Sequence, residues 1–408
     1  MKFYYSGTDK RLGRIPTLNE LINKGYDGLI LSYQWLSYGE NARILKQSIE
    51  ASSVNKIFLV LDEVHHVSDE LSYGQACEIA FPDEIISHRL MTSGTPFRSD
   101  GKRILGDWID YQYDETNNQY IYKPDFFYKL VNALDDKIIP HFSFVTLGGE
   151  FSYREGEAIY EGRKFETEEN EEDLSKLLNT AIYVGGEWIE TAIEWAHQRM
   201  RRDRQNGFPE CATYIRVPKI ETAYKMQKRI YEITNQEALV VVSQDDPSFS
   251  SNFKQQGDPS QLIEYFAAET GYSATAWIIG VGMLGEGISI KRLKYRIHAT
   301  NICARLSFEQ DLGRLLRKFP EDNPQPVETL IPSHPYLRVL ALDIMNEVSE
   351  YFIRESEQKS EDYESESSSS ESSENPTSSQ FQPISSTGEF DSHIVDGKEV
   401  SNRGYPTK

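Results

Sequence analysis

Short runs of apolar side chains alternate along the chain with longer stretches in which apolar residues recur every three or four positions. The runs fall at residues 28–32 (GLILS), 56–61 (KIFLVL), 89–93 (RLMTS), 212–217 (ATYIRV) and 276–280 (AWIIG). Continuous apolar runs of this length, separated by helical stretches, predict parallel β-strands buried on both faces. They fall into an early and a late group, which predicts two α/β sheets. Between the groups, residues 151–173 are polar and rich in Glu, and are expected to form a β-rich or loop excursion closing the first domain. One helix is predicted over residues 174–204, ending in Arg199, Arg201, Arg202 and Arg204, and the spacing of Leu337, Leu340, Ile344, Val348 and Phe352 predicts an amphipathic helix over 335–358.

The 408 residues suit two domains of ordinary size with some unstructured sequence besides. The expected division is an incomplete N-terminal α/β domain at 1–147, the excursion and linking helix at 148–204, a C-terminal α/β domain at 205–354 and a disordered Ser/Glu-rich tail at 355–408. The tail carries 12 acidic and 4 basic side chains, so eight of the 21 excess negative charges lie there. The rest is still acidic, which argues against broad non-specific binding to phosphate backbones but leaves room for a local basic cleft. Cys77, Cys211 and Cys303 stand far apart with no Cys-x-x-Cys pair, which offers neither a disulfide framework nor a zinc site. Neither a membrane span nor a signal-peptide core is expected, so the reading is a soluble, cytoplasmic protein.

The run at 56–61 leads into Asp62-Glu63-Val64-His65. An open parallel sheet binds ligands at the C-terminal ends of its strands. Nucleotide hydrolysis needs one carboxylate to hold magnesium and a second to orient and deprotonate the attacking water. Asp62 suits the first role and Glu63 the second, although turns after strands are often acidic for no such reason. Some thirty residues on comes Met91-Thr92-Ser93-Gly94-Thr95-Pro96-Phe97-Arg98, a strand running into small hydroxyl residues and a turn-forming Pro. In the late group stand Gly285-Glu286-Gly287-Ile288-Ser289-Ile290 and Gln310-Asp311-Leu312-Gly313-Arg314-Leu315-Leu316-Arg317.

In order, these four segments resemble motifs II, III, V and VI of superfamily 2 helicases, closest to DEAD/DEAH-box-like members related to type III restriction subunits of phages and bacteria. The resemblance covers residues 25–354 and implies two RecA-like domains, ATP and Mg2+ as cofactors, and DNA or RNA as partner. It implies Asp62 as the metal-holding carboxylate, Glu63 as the base, His65 as a link between the halves and Gln310 as a residue closing on nucleotide. Arg314 and Arg317 would carry fixed charge to the γ-phosphate; their alternative is a solvated helix face. Gly285, Glu286, Gly287 and Ser289 would face the nucleotide. Ser93, Thr95, Phe97 and Arg98 would couple hydrolysis to the nucleic-acid path. Residues 28–34 resemble motif Ib, where Tyr33 and Gln34 would touch the backbone, or would simply end a buried strand. Arg199, Arg201, Arg202 and Arg204 form either a basic arm or a solvated helix end.

Two features depart from the family. No Gly-x-x-x-x-Gly-Lys-Ser/Thr loop precedes Asp62, and Ser289 stands where many relatives have Asp. The loop's amides and lysine cradle phosphates, each charge-assisted bond contributing roughly 1.5–3 kcal/mol. The expectation is therefore an ATP-dependent helicase or translocase, truncated at its N-terminus or completed by a second polypeptide that carries the loop. The alternative is a non-hydrolysing nucleic-acid-binding module or a decayed remnant. The acidic tail is either solubilising or a partner-binding segment.

Overall fold

In the computed structural model, the described residues are 1–5, 15–54, 56–67, 72–94, 104, 108–114, 119–122, 124–128, 130–242, 258–281, 290–317, 326–346, 381–395 and 398–401. They form two compact units, the first taking Met1 to Phe126 and the second beginning at Phe127.

The first unit runs β1 (Phe3–Tyr5), α1 (Leu18–Asn23), β2 (Gly28–Ile30), α2 (Tyr33–Ser37), α3 (Asn41–Glu50), β3 (Ile57–Leu61), α4 (Ser72–Ala80), β4 (Ile86–Met91), β5 (Tyr111–Asp114) and β6 (Gln119–Tyr122). Strands β1 and β2 pair in parallel, as do β3 and β4, while β5 and β6 pair antiparallel. Helix α1 starts on a capping box, with Thr17 accepting from the Glu20 amide and Glu20 from the Thr17 amide. Leu59 and Leu61 of β3 enter a core with Trp35 and Leu36 of α2, Leu45 and Ile49 of α3, and Ala76 and Cys77 of α4. The opposite face is uncovered: Phe58 is 63% exposed, Val60 51% and Leu90 46%. The expectation of burial on both faces is thus corrected for this pair, because among the described residues α2, α3 and α4 pack on the side of Leu59 and Leu61. The run at 28–32 also yields a shorter strand than expected. It stops at Ile30, and Ser32 accepts from the Trp35 amide to start α2, so Tyr33 and Gln34 lie in a helix's first turn.

The second unit runs α5 (Leu130–Asp135), β7 (Phe142–Gly148), β8 (Phe151–Glu155), β9 (Ala158–Arg163), α6 (Glu171–Ala181), α7 (Glu187–Gln205), β10 (Ala212–Arg216), α8 (Ile220–Thr234), β11 (Ala238–Val241), α9 (Pro259–Ala268), β12 (Trp277–Gly280), β13 (Leu293–His298), α10 (Arg305–Leu315), β14 (Val327–Pro332), α11 (Pro335–Asn346), β15 (Phe381–Ser386), β16 (Glu389–Val395) and β17 (Lys398–Ser401). Eight strands form one sheet in the order β11-β12-β10-β13-β14-β7-β16-β17. The first six are parallel and the last two antiparallel. Every residue of β7, β10, β12 and β13 is buried, so here the apolar runs do sit between two covered faces. The α/β class with a largely parallel central sheet is the one expected.

Three boundaries differ from expectation. The first domain was expected to reach 147, but β7 is an interior strand of the second unit, parallel to β14 through six register pairs. The excursion at 151–173 becomes β8 and β9 with the start of α6, and belongs to the second unit as well. The single helix at 174–204 is broken in two, because Gly186, extended at φ −91° and ψ 157°, caps a new helix.

The stretch expected to be a disordered tail divides. Residues 347–380 lie outside the described residues, as does the C-terminal part of the helix expected at 335–358. Residues 381–395 and 398–401 form three strands, a correction with a clear cause. Phe390 lies opposite Leu147 and Ile394 opposite Phe144, so β16 presents apolar side chains where β7 needs an edge partner. The Ser392 amide donates to Thr146 Oγ1 at 2.9 Å, and β15 pairs with β8. At the corner, Gly149 sits at φ +139° against the Thr387 carbonyl, and a Cβ there would collide with it. Gly149→Ala is therefore expected to lower the urea-unfolding free energy of this unit by about 1–3 kcal/mol and to expose 381–401 to limited proteolysis, measured together.

Candidate functional site

Leu61 lies opposite Met91 in the parallel β3–β4 pair, and the pairing continues past both strand ends. The Thr92 amide donates to the Leu61 carbonyl at 2.9 Å and the Val64 amide to the Thr92 carbonyl at 3.0 Å. Asp62 and Glu63 therefore emerge beside Thr92 and Ser93. Thr92 Oγ1 donates to Asp62 Oδ1 at 2.7 Å, and the Glu63 amide donates to the same oxygen at 3.1 Å. Glu63 adopts φ 50° and ψ 49°, a left-handed conformation that disfavours a side chain with a Cβ. Such strain is held by surrounding contacts and gathers at functional positions.

His65 is buried, with Nδ1 2.8 Å from Ser93 Oγ and 3.4 Å from Glu63 Oε2. Its ring thus joins the acidic segment to the hydroxyl segment of the same unit, and Asp62, Glu63, His65 and Ser93 lie together, whereas His65 was read from the resemblance as a link between the halves. Tyr33 donates its hydroxyl to the Asp62 carbonyl at 2.7 Å and stacks on Tyr73 at 6.1 Å. Burial above all, then Cys77, Asp62 and Glu63, push its phenol upward, which keeps it a donor. The tyrosine read from sequence as a backbone contact or a strand end instead braces the acidic turn. Gln34 is exposed beside it. Thr92 was read from sequence only as part of the hydroxyl-bearing segment, with no contact to Asp62 assigned to it. The signal was available, since alternation along a strand puts Thr92 and Leu90 on one face and leaves its hydroxyl level with the first acid.

Asp62 suits a hard divalent ion. Its carboxylate is exposed, one oxygen is oriented by two donors, and among the described residues it makes no ion pair with Lys or Arg. Among the described residues no group of three or more His, Cys, Asp or Glu side chains surrounds one point. An ion at Asp62 would draw its remaining ligands from water and from phosphate oxygens.

In the second unit, α10 carries Gln310, Asp311 and Arg314. Arg314 is buried in its last turn, and Arg317 follows the C-cap Leu316, half-buried. The alternative of a solvated helix face therefore fails for Arg314. Asp311, 1% exposed, accepts from Arg216 Nη1 at 2.9 Å, Arg296 Nη2 at 3.1 Å and the Tyr214 hydroxyl at 3.3 Å. Arg296 also lies 2.7 Å from His298 Nδ1 and over the Phe308 ring at 4.7 Å.

The basic-arm expectation is corrected for two of its four residues. Arg199 pairs with Glu328 at 3.0 Å and stacks on Trp195, and Arg204 donates to the Cys211 and Ala274 carbonyls. Arg201 and Arg202 are exposed. Thr95, Phe97 and Arg98 of the first unit, and Gly285, Glu286, Gly287 and Ser289 of the second, lie outside the described residues.

No protein-family model matches the chain. Curated relatives include an uncharacterized protein of Mycobacterium tuberculosis (strain CDC 1551 / Oshkosh), 30% identical over 324 residues, which cover 78% of this chain and 48% of the relative. Another, from Mycobacterium leprae (strain TN), is 26% identical over 348 residues, 84% of this chain and 54% of the relative. The chain thus spans about half the length of the curated relatives it matches. Similar solved structures include the ATP-dependent Type ISP restriction-modification enzyme LlaBIII bound to DNA (13% identity, TM-score 0.43, 79% of this chain and 22% of that one). A second is the Mycobacterium smegmatis helicase Lhr bound to ssDNA and AMP-PNP (11% identity, TM-score 0.43, 86% and 38%). Among the described residues no helix is long and apolar enough to cross a membrane.

Burial, with Arg296 and Arg216 beside it, drives the His298 imidazole well below its ordinary range, and burial alone holds His334 at about 4. Both rings are neutral in the fold, while in the unfolded chain they take up a proton near 6.5. The unfolded state binds more protons between 6.5 and about 4, so the stability these rings contribute is full above 6.5 and is lost as pH falls through that window. A melting series is expected to show Tm falling over this range, with a shallower fall in His334→Gln.

Proposed function

We propose that this chain is the greater part of a superfamily 2 motor, an ATP-driven helicase or translocase acting on DNA or RNA. The observation that carries the proposal is the joined β3–β4 terminus: a metal-suited Asp62 oriented by Thr92, a strained Glu63, and a buried His65 tied to Ser93. ATP with Mg2+ would supply the phosphoanhydride and the charge that polarises it. Asp62 would hold the ion, in part through water, and Glu63 would orient and deprotonate the attacking water. Arg314 and Arg317 would set fixed positive charge against the transferring phosphoryl group, and Gln310 would close on the nucleotide. The segment containing Gly285, Glu286, Gly287 and Ser289 would line the nucleotide and nucleic-acid path. Ser93, Thr95, Phe97, Arg98 and the exposed Gln34 would pass the state of the first unit to the nucleic acid.

The sequence before Asp62 holds no glycine-lysine phosphate loop. We propose that a segment outside residues 1–408, in this protein or on a second polypeptide, supplies it. The bare outer face of the β3–β4 pair, with Phe58, Val60 and Leu90, supports this, since an apolar sheet face gains about 25 cal/mol per Å2 when a partner covers it. A second reading is a binding module that closes on nucleic acid without turnover.

Glu63→Gln separates the two. In the chain purified with its associated polypeptides, nucleic-acid-stimulated ATP hydrolysis is expected to fall about 10²–10⁴-fold, with a changed dependence of nucleic-acid affinity on nucleotide. Unchanged affinity and unchanged nucleotide dependence would leave the binding module.

A further inference from the structure

We infer that Asp311 is a positioning residue for the proposed phosphoryl-transfer site, held by Arg216 and Arg296 so that α10 presents Gln310 and Arg314 in one fixed orientation. The inference rests on the motor reading for what α10 presents, and on the geometry alone for how α10 is held.

Arg216 is the last residue of β10, and Arg296 stands two residues before the end of β13. Both guanidinium groups meet the one Asp311 carboxylate, each on a different oxygen. Two further contacts run from the same arginines to the first turn of α10: Arg216 Nη2 to Ser307 Oγ and Arg296 Nη1 to the Phe308 carbonyl, both at 3.4 Å. Helix α10 is therefore tied to two adjacent strands at two levels. Rotation about its axis would break ion pairs that are removed from water, and a buried charge left without its partner is strongly disfavoured.

A packed apolar contact would hold the helix without fixing its rotation so closely, because dispersion contacts are non-directional while a guanidinium-carboxylate fork is not. Asp311 lies one turn before Arg314 and next to Gln310, so a small rotation of α10 moves both together. Nothing else in this unit places two arginines on one carboxylate among its described ion pairs.

The test compares Asp311→Asn, Arg314→Lys and the double variant in nucleic-acid-stimulated ATP hydrolysis, with amide hydrogen exchange on each. Asp311→Asn is expected to lower kcat about 10²-fold, the cost of a displacement near 1 Å, with KM for ATP changed less than about threefold. In the Arg314→Lys background the same change is expected to have little further effect on kcat. Multiplying losses, or a loss confined to KM, would overturn the inference. A wild-type preparation with no hydrolysis would instead count against the motor reading. The positioning role is then judged on exchange: faster exchange in residues 305–315 of Asp311→Asn, with 212–216 and 293–298 unchanged, supports it, and unchanged exchange in 305–315 overturns it. Should Asp311→Asn fail to fold, Arg216→Lys, which keeps the Arg296 pair, is held to the same outcomes.

Discussion

The register of one short parallel strand pair governs the first candidate site. Leu61 opposite Met91 sets Asp62 and Glu63 level with Thr92 and Ser93, and the two amide bonds beyond the strand ends carry that register into the turn. A slip of one residue would turn Thr92 away from Asp62, because side chains alternate between faces. The left-handed backbone at Glu63 then follows from the same constraint. The chain must leave the strand, keep the Val64 amide on Thr92 and still bring His65 inward to Ser93.

The second unit solves the analogous problem with charge. Four of its parallel strands, β7, β10, β12 and β13, are buried throughout, so an element laid across their ends has few solvated groups to hold it. Asp311 supplies a carboxylate in that interior, and the arginines of β10 and β13 converge on it. Asp203 does the same on α7, taking Lys294 and the Tyr295 hydroxyl at 2.5 Å each. At the sheet's far edge β16 and β17 cover β7, so a strand that would otherwise invite pairing with another chain is closed within this one.

The strands of both units were legible because apolar runs between turn residues carry a direct physical meaning. Residues 56–61 and 89–93 became β3 and β4, and 212–217 and 276–280 became β10 and β12. Asp62, Glu63, His65 and Ser93 were singled out through the order of the acid-bearing and hydroxyl-bearing segments, while their mutual contacts depend on the β3–β4 register and were not readable from either segment alone. What was not legible depends on distant partners. Nothing local in residues 142–148 says that they pair with 327–332, so the domain boundary was placed too late. The apolar residues of 381–401 are too few to suggest a strand until the edge of β7 is there to receive them. Tyr33 sits at the end of an apolar run, but its hydroxyl finds the Asp62 carbonyl across 29 positions of chain, a contact no local pattern encodes. Asp311 passed as one member of a motif, since its partners lie on two other elements, Arg216 on β10 95 positions upstream and Arg296 on the preceding strand β13.

The proposed motor depends most on the Asp62 carboxylate at the end of β3, which would hold the metal of a metal-nucleotide complex. Electron paramagnetic resonance of Mn2+ with ATP, recorded on the chain purified with its associated polypeptides and on its Asp62→Asn variant, tests it most directly. A bound-Mn2+ signal that requires nucleotide and disappears in Asp62→Asn is the predicted result. An equal signal in both proteins, or nucleotide binding that proceeds without any metal at Asp62, would contradict it.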